Sequence, residues 1–189
     1  MSRVLVPLAE GFEEIEAVTV IDLLRRAGIE VIAAGLAPGA VTGSHGIAIT
    51  PDTSLGEVLG ESFDMIVLPG GMPGATHLAD DSRLLALLRR QEESGGLTAA
   101  ICAAPAVLAK AGLLAGKRAT GFPGFLTSIS APDTLVLDDA VVEDDRIITS
   151  RGPGTAMDFA LALVERLQGR PARETIEAPL QRPRLPGAG

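Results

Sequence analysis

The chain has 189 residues, 47% of them apolar and 21% charged, enough for one compact soluble domain with a full core. Its net charge of −8, with basic residues scattered, argues against a nucleic-acid surface, and the lack of Trp and Tyr removes the usual stacking platforms for bases or sugars. One cysteine cannot make an internal disulfide, which fits a reducing cytoplasm, and no apolar run is long enough to span a membrane.

The opening MSRVLVPLAEGFEE reads as a first strand, RVLVPLA (3–9), rather than as a cleavable signal. EEIEAVTVIDLLRRAG (13–28) follows as a helix stopped by Gly28, then IEVIAAGL (29–36) as a strand. VTGSHGIAIT (41–50) is a hairpin candidate around a glycine-rich turn, and SLGEVLG (54–60) a short helix. FDMIVLPGG (63–71) is a core strand running into glycines, and 82–94 is a helix. LTAAI (97–101) is a strand that passes directly into Cys102 and a further helix. RATGF (118–122), a hairpin within 134–150 and a helix over 155–169 complete the pattern. Beyond Gly169 four prolines and weak patterning predict an extended tail, with residues 1–180 forming one domain and 181–189 a flexible end.

Strands that are apolar throughout and alternate with helices imply an α/β fold. Its mostly parallel sheet would be covered by helices on both faces, with the hairpin added. Sites in such sheets form at the carboxyl ends of strands. The segments AEGFEE, PGGMPG and CAAP all fall there.

Cys102 at a sharp strand-to-helix turn has the placement of a nucleophile elbow, where a helix start lowers a thiol's pKa. Its flanking alanines, instead of the usual glycines, leave open a small buried residue that happens to carry sulfur. On a helical wheel Glu16 falls on the apolar side with Val20, Leu23 and Leu24, opposite Glu14, Asp22, Arg25 and Arg26. An acid there either bonds its own helix end or stays protonated and donates a hydrogen bond, for which a thiolate would be the acceptor. Gly70 or Gly71 could present a backbone N–H to a reacting centre, with Ala103 supplying a second, or LPGG is a plain tight turn. His45 and His77 read as turn or surface residues, and no metal-ligand spacing of Cys or His is present.

EGFEEIEAV, VLPGG, AAICAAP and TSRGPGTAMDFAL, in that order, resemble the ThiJ/PfpI superfamily, and within it the small branch of YajL-like and Parkinsonism-associated deglycases. The resemblance implies a flavodoxin-like sandwich, a homodimer, and no cofactor or metal. It makes Cys102 the reactive cysteine, Glu16 the protonated partner, and Gly71 and Ala103 the backbone donors, with Gly70 beside them. It sets Arg151 and Pro153 next to the site and Arg26 and His45 near the dimer interface, at the rim of the site. Phe122 stands where many relatives carry a histidine, which removes the base of a hydrolase triad and disfavours protease activity. What remains is cysteine chemistry on α-oxoaldehydes or their adducts on proteins, of the deglycase or glyoxalase class. The alternative is a redox-sensing chaperone whose thiol stops at sulfinic acid.

Overall fold

The computed structural model describes residues 1–127 and 131–182. In chain order its elements are β1 (Arg3–Leu8), α1 (Glu14–Arg26), β2 (Glu30–Gly35), β3 (Val41–Thr42), β4 (Ala48–Ile49), β5 (Thr53–Ser54), α2 (Leu55–Val58), β6 (Met65–Leu68), α3 (Gly74–Asp80) and α4 (Ser82–Glu93). There follow β7 (Leu97–Ile101), α5 (Pro105–Ala111), β8 (Arg118–Ala119), β9 (Leu135–Val136), β10 (Val141–Asp144), β11 (Ile147–Ser150), α6 (Ala156–Gln168) and α7 (Arg170–Glu177).

Seven strands form one sheet in the order β10-β11-β7-β6-β1-β2-β5, parallel throughout except for β10 against β11. The two faces follow from the period of two along a strand. In β1, Val4, Val6 and Leu8 point into a core shared with Val20 and Leu24 of α1 and Phe159 and Leu163 of α6. Leu5 points into a second core with Leu84 and Leu88 of α4 and Leu108 of α5. Both faces are therefore buried, which is why β1 and β6 read as unbroken apolar runs. The expected sandwich architecture is the one observed.

The sheet also fixes where a site can form. From β1 the chain goes outward to β2 on one side, then returns to β6 on the other. That reversal opens a crevice outside the carboxyl ends of β1 and β6, next to the end of β7.

Two segments differ from the sequence reading. GATHLAD forms α3, although the glycines and proline before it suggested a loop. The extended tail expected after Gly169 is helical as α7, followed by a short 3-10 turn over Ala178–Leu180. Pro171 occupies the first turn, where its missing N–H costs nothing. Arg173 pairs with Glu165 of α6 at 2.7 Å, and Ala172, Ile176 and Leu180 pack on the core. Arg182, expected to lie in the flexible end, forms ion pairs with Asp158 and with Glu177. The rest of that end, 183–189, lies outside the described residues.

Candidate active site

Cys102 leaves β7 with φ of 65°, in the left-handed region that a β-carbon disfavours. Neighbouring backbone holds it there: its N–H donates to Ser150 O at 3.0 Å and its carbonyl accepts from Phe122 N at 2.7 Å. The side chain is thereby turned out of the strand direction toward the crevice, as the elbow expectation required.

Glu16 arrives from the second turn of α1 and is fully buried. Its Oε2 accepts from Gly70 N at 2.8 Å, and Glu13 N donates to Gly70 O at 2.9 Å, so the glycine after β6 is clamped to the start of α1. A β-carbon at Gly70 would lie 2.7 Å from Cβ of Cys102 and 2.8 Å from Oε2 of Glu16. Only glycine leaves room for sulfur and carboxyl to meet. Gly71, at φ of 91°, turns its N–H toward the sulfur, and the Ala103 N–H does the same.

The electrostatics correct one expectation. Burial is the main influence on the thiol and pushes it up to about 12; ionised Glu16 beside it adds repulsion and accepts the S–H, while the N–H groups of Gly71 and Ala103 pull the other way. The short α5 does not overcome this. Burial also raises Glu16 to about 7, against the opposing hydrogen bonds from Gly70 and Cys102. The cavity therefore resists a second negative charge. Oε1 of Glu16 is buried with no partner of ordinary hydrogen-bond geometry. A proton on Glu16 satisfies that carboxyl and removes both effects through which it suppresses the thiolate. Sulfur, with two backbone donors against one for the carboxylate, is then the better seat for the single charge.

Phe122 carries no base. Its half-exposed ring meets Phe125 edge-on, with centroids 6.1 Å apart, and lies over Gly152. With Arg151, Pro153 and Thr155 it lines a pocket of about 540 Å³ flanking the elbow. Arg151 donates to the carbonyl of Asp138 at 3.0 Å.

Two of the residues expected at the rim fall elsewhere in the protomer. Arg26 ends α1, ten residues and about 15 Å of helix beyond Glu16, and pairs with Asp22 at 2.6 Å. It lines a separate groove with Gln168 and Ala172, so it does not line the Cys102 cavity. His45 lies in the β3–β4 turn against Glu14, whose burial is outweighed by N–H donors and the imidazole, holding it down at about 2. His77 contacts the carbonyl of Glu10 at 3.0 Å. Ser150, whose carbonyl anchors the elbow, was not singled out by the sequence, although it immediately precedes the RGPG loop.

A strained cysteine beside a buried acid, at the switch crevice of an open parallel sheet, defines a class of α/β proteins built around one thiol. The chain belongs to the DJ-1/PfpI family, whose sequence profile matches residues 2–166. It is 50% identical to Drosophila melanogaster protein dj-1beta over 167 residues, covering 88% of this chain and 89% of that protein. Caenorhabditis elegans glutathione-independent glyoxalase DJR-1.2 is 42% identical, over 90% of this chain and 91% of its own length. The chain spans only 45% of Arabidopsis thaliana protein DJ-1 homolog A. The crystal structure of the Drosophila protein superposes with a TM-score of 0.91 at 46% identity, covering 95% of this chain and 98% of that one. Oxidised Toxoplasma gondii DJ-1 gives 0.91 at 41% identity, over the same shares. No helix among the described residues is long and apolar enough to cross a membrane.

Proposed function

We propose that the chain converts small α-oxoaldehydes to 2-hydroxy acids, and acts on the adducts these aldehydes form with protein amines and thiols, using Cys102 as nucleophile and Glu16 as proton shuttle. The observation that carries this reading is the meeting of thiol, buried carboxyl and two backbone N–H groups around Gly70. A relative named as a glutathione-independent glyoxalase supports it.

The steps balance without an external oxidant. The Cys102 thiolate adds to the aldehyde carbon, and the new oxyanion takes the proton of Glu16, giving a hemithioacetal. The Glu16 carboxylate then removes the hydrogen from that carbon. The electron pair moves through an enediol, and the proton returns to the neighbouring carbonyl carbon. The aldehyde carbon is oxidised to a thioester while the ketone carbon is reduced to an alcohol. Water hydrolyses the thioester, releases the hydroxy acid and restores the thiol. The N–H groups of Gly71 and Ala103 are donors for charge near the sulfur. A buried acid raised to about 7 can hold and give up a proton near neutral pH, as this shuttle requires.

A second reading, an oxidation sensor, draws on the same donors, because backbone N–H groups and a protonated acid would stabilise sulfinic oxygens. Methylglyoxal turnover to lactate, measured beside peroxide titration followed by mass spectrometry, separates the two. The enzymatic reading expects steady lactate production that Cys102→Ser abolishes. Stoichiometric gain of two oxygens at Cys102 without turnover would replace it by the sensor.

A further inference from the structure

We infer that Glu13, Glu14, Ser44 and His45 form a binding site for a divalent transition-metal cation of zinc's size, separate from the thiol cavity. Four donor atoms converge there. Oγ of Ser44 lies 3.3 Å from Oε2 of Glu13, 3.3 Å from Oε2 of Glu14 and 3.1 Å from Nδ1 of His45. Nδ1 of His45 is 3.1 Å from Oε2 of Glu14 and 3.5 Å from Oε2 of Glu13. The carboxylate and imidazole atoms all lie within 4.8 Å of one another. Five edges of a tetrahedron are thus 3.1–3.5 Å long. A point at the centre of such a figure lies about 2.0 Å from each corner, the usual zinc–nitrogen and zinc–oxygen length.

Hydrogen bonding alone does not account for the cluster. The hydroxyl has one hydrogen and Nδ1 at most one, so two hydrogens face five short contacts. The remaining contacts set lone pairs against lone pairs. Both carboxylates are more than nine-tenths buried. Glu14 has the backbone N–H groups of His45 at 2.7 Å and Ile47 at 3.3 Å on its other oxygen. For Glu13 the one side-chain donor among the described residues is the hydroxyl it shares with Glu14. No Lys or Arg among the described residues pairs with either acid, so His45 is their sole basic neighbour. Two buried carboxylates with one imidazole call for further positive charge.

The loop is shaped for this. A β-carbon at Gly43 would lie 2.3 Å from Cδ of Glu14, so glycine there admits the carboxyl into the turn. One nitrogen and three oxygens suit zinc or its neighbours better than calcium or magnesium, which prefer all-oxygen shells. His45 is open to solvent, and it gives up its Nδ1 proton to water on binding, so uptake strengthens as pH rises.

The test uses the full chain in its purified oligomeric state, titrated with Co²⁺ and then Zn²⁺. The expected result is one Co²⁺ per chain, with the intense visible absorption of a four-coordinate ion and no sulfur charge-transfer band, displaced by Zn²⁺. Exposed His45 can be removed without disturbing the core, and His45→Ala should weaken Zn²⁺ binding by about tenfold or more. Glu13→Gln should weaken it as well, and Cys102→Ala should leave it unchanged. Absence of uptake, retention of full affinity in His45→Ala, or loss in Cys102→Ala would each overturn the assignment. The first means that the charge is neutralised in another way, the last that the metal sits on the thiol.

Discussion

At Cys102 the decisive quantity is where one proton resides. Burial opposes charge on sulfur and on Glu16 alike, so each group controls the other. Replacing Glu16 by Gln keeps a neutral polar group beside Gly70 but ends proton transfer. We expect a folded protein whose turnover falls by about 10²–10⁴, while Cys102 still reacts with iodoacetamide. Glu16→Leu removes the donor as well. With thiolate and carboxylic acid as the working pair, the pH midpoint of alkylation should rise; a fall would mean that Glu16 is the ionised partner. Gly70→Ala tests the same contact sterically. Its β-carbon would meet Cβ of Cys102, Oε2 of Glu16 and the carbonyl of Ile101 all under 3 Å. A loss of about 1–3 kcal/mol is expected in denaturant unfolding. Unchanged stability and alkylation would contradict so tight a cavity.

Among the elements, α4 shows how a single cap organises a boundary. Asp81 accepts from the backbone N–H of Arg83 at 2.9 Å and of Leu84 at 3.2 Å, and pairs with the Arg83 guanidinium. The Arg83 side chain, foremost, holds the carboxyl below its ordinary value, and the backbone donors add to this against burial. A lowered folded-state value means stabilisation that is present above the ordinary carboxylate range and lost as pH falls through the lowered one. Asp81→Ala should therefore cost about 1 kcal/mol at pH 7. The gap from the wild type should close below about pH 3. Equal destabilisation at both pH values would show that packing, not the charged cap, is responsible. The α7 helix teaches the opposite lesson about elements. Its prolines suggested extension, but one of them suits a first helical turn, and ion pairs with α6 and α1-facing apolar contacts hold the rest. Such partners lie outside any local window of sequence.

For the whole molecule, exposed Ile15 and Val18 on α1 and Ile47 on the adjoining β4 side form an apolar surface beside the site. A homodimer, implied by the family resemblance, would cover it. Light scattering should give about twice the 19.4 kDa chain mass, and Ile15→Asp should reduce it to one chain. A wild-type monomer would remove the dimer from the account. Arg26, which lies away from Cys102 within one protomer, could approach the site only from a second copy.

The order of apolar strands and helices was legible in the residues, because a strand buried on both faces needs unbroken apolar runs and a helix needs its wheel. The same local logic singled out Cys102 at the end of β7, Glu16 on the wrong side of its helix, and the glycines after β6. Tertiary structure alone decided that these three meet, since the crevice exists only when β6 returns beside β1. It alone decided the ionisation of the thiol, because burial depends on every element around it. The same holds for Glu14 and His45, 31 residues apart in the chain, which become neighbours only when the β3–β4 turn folds over the start of α1.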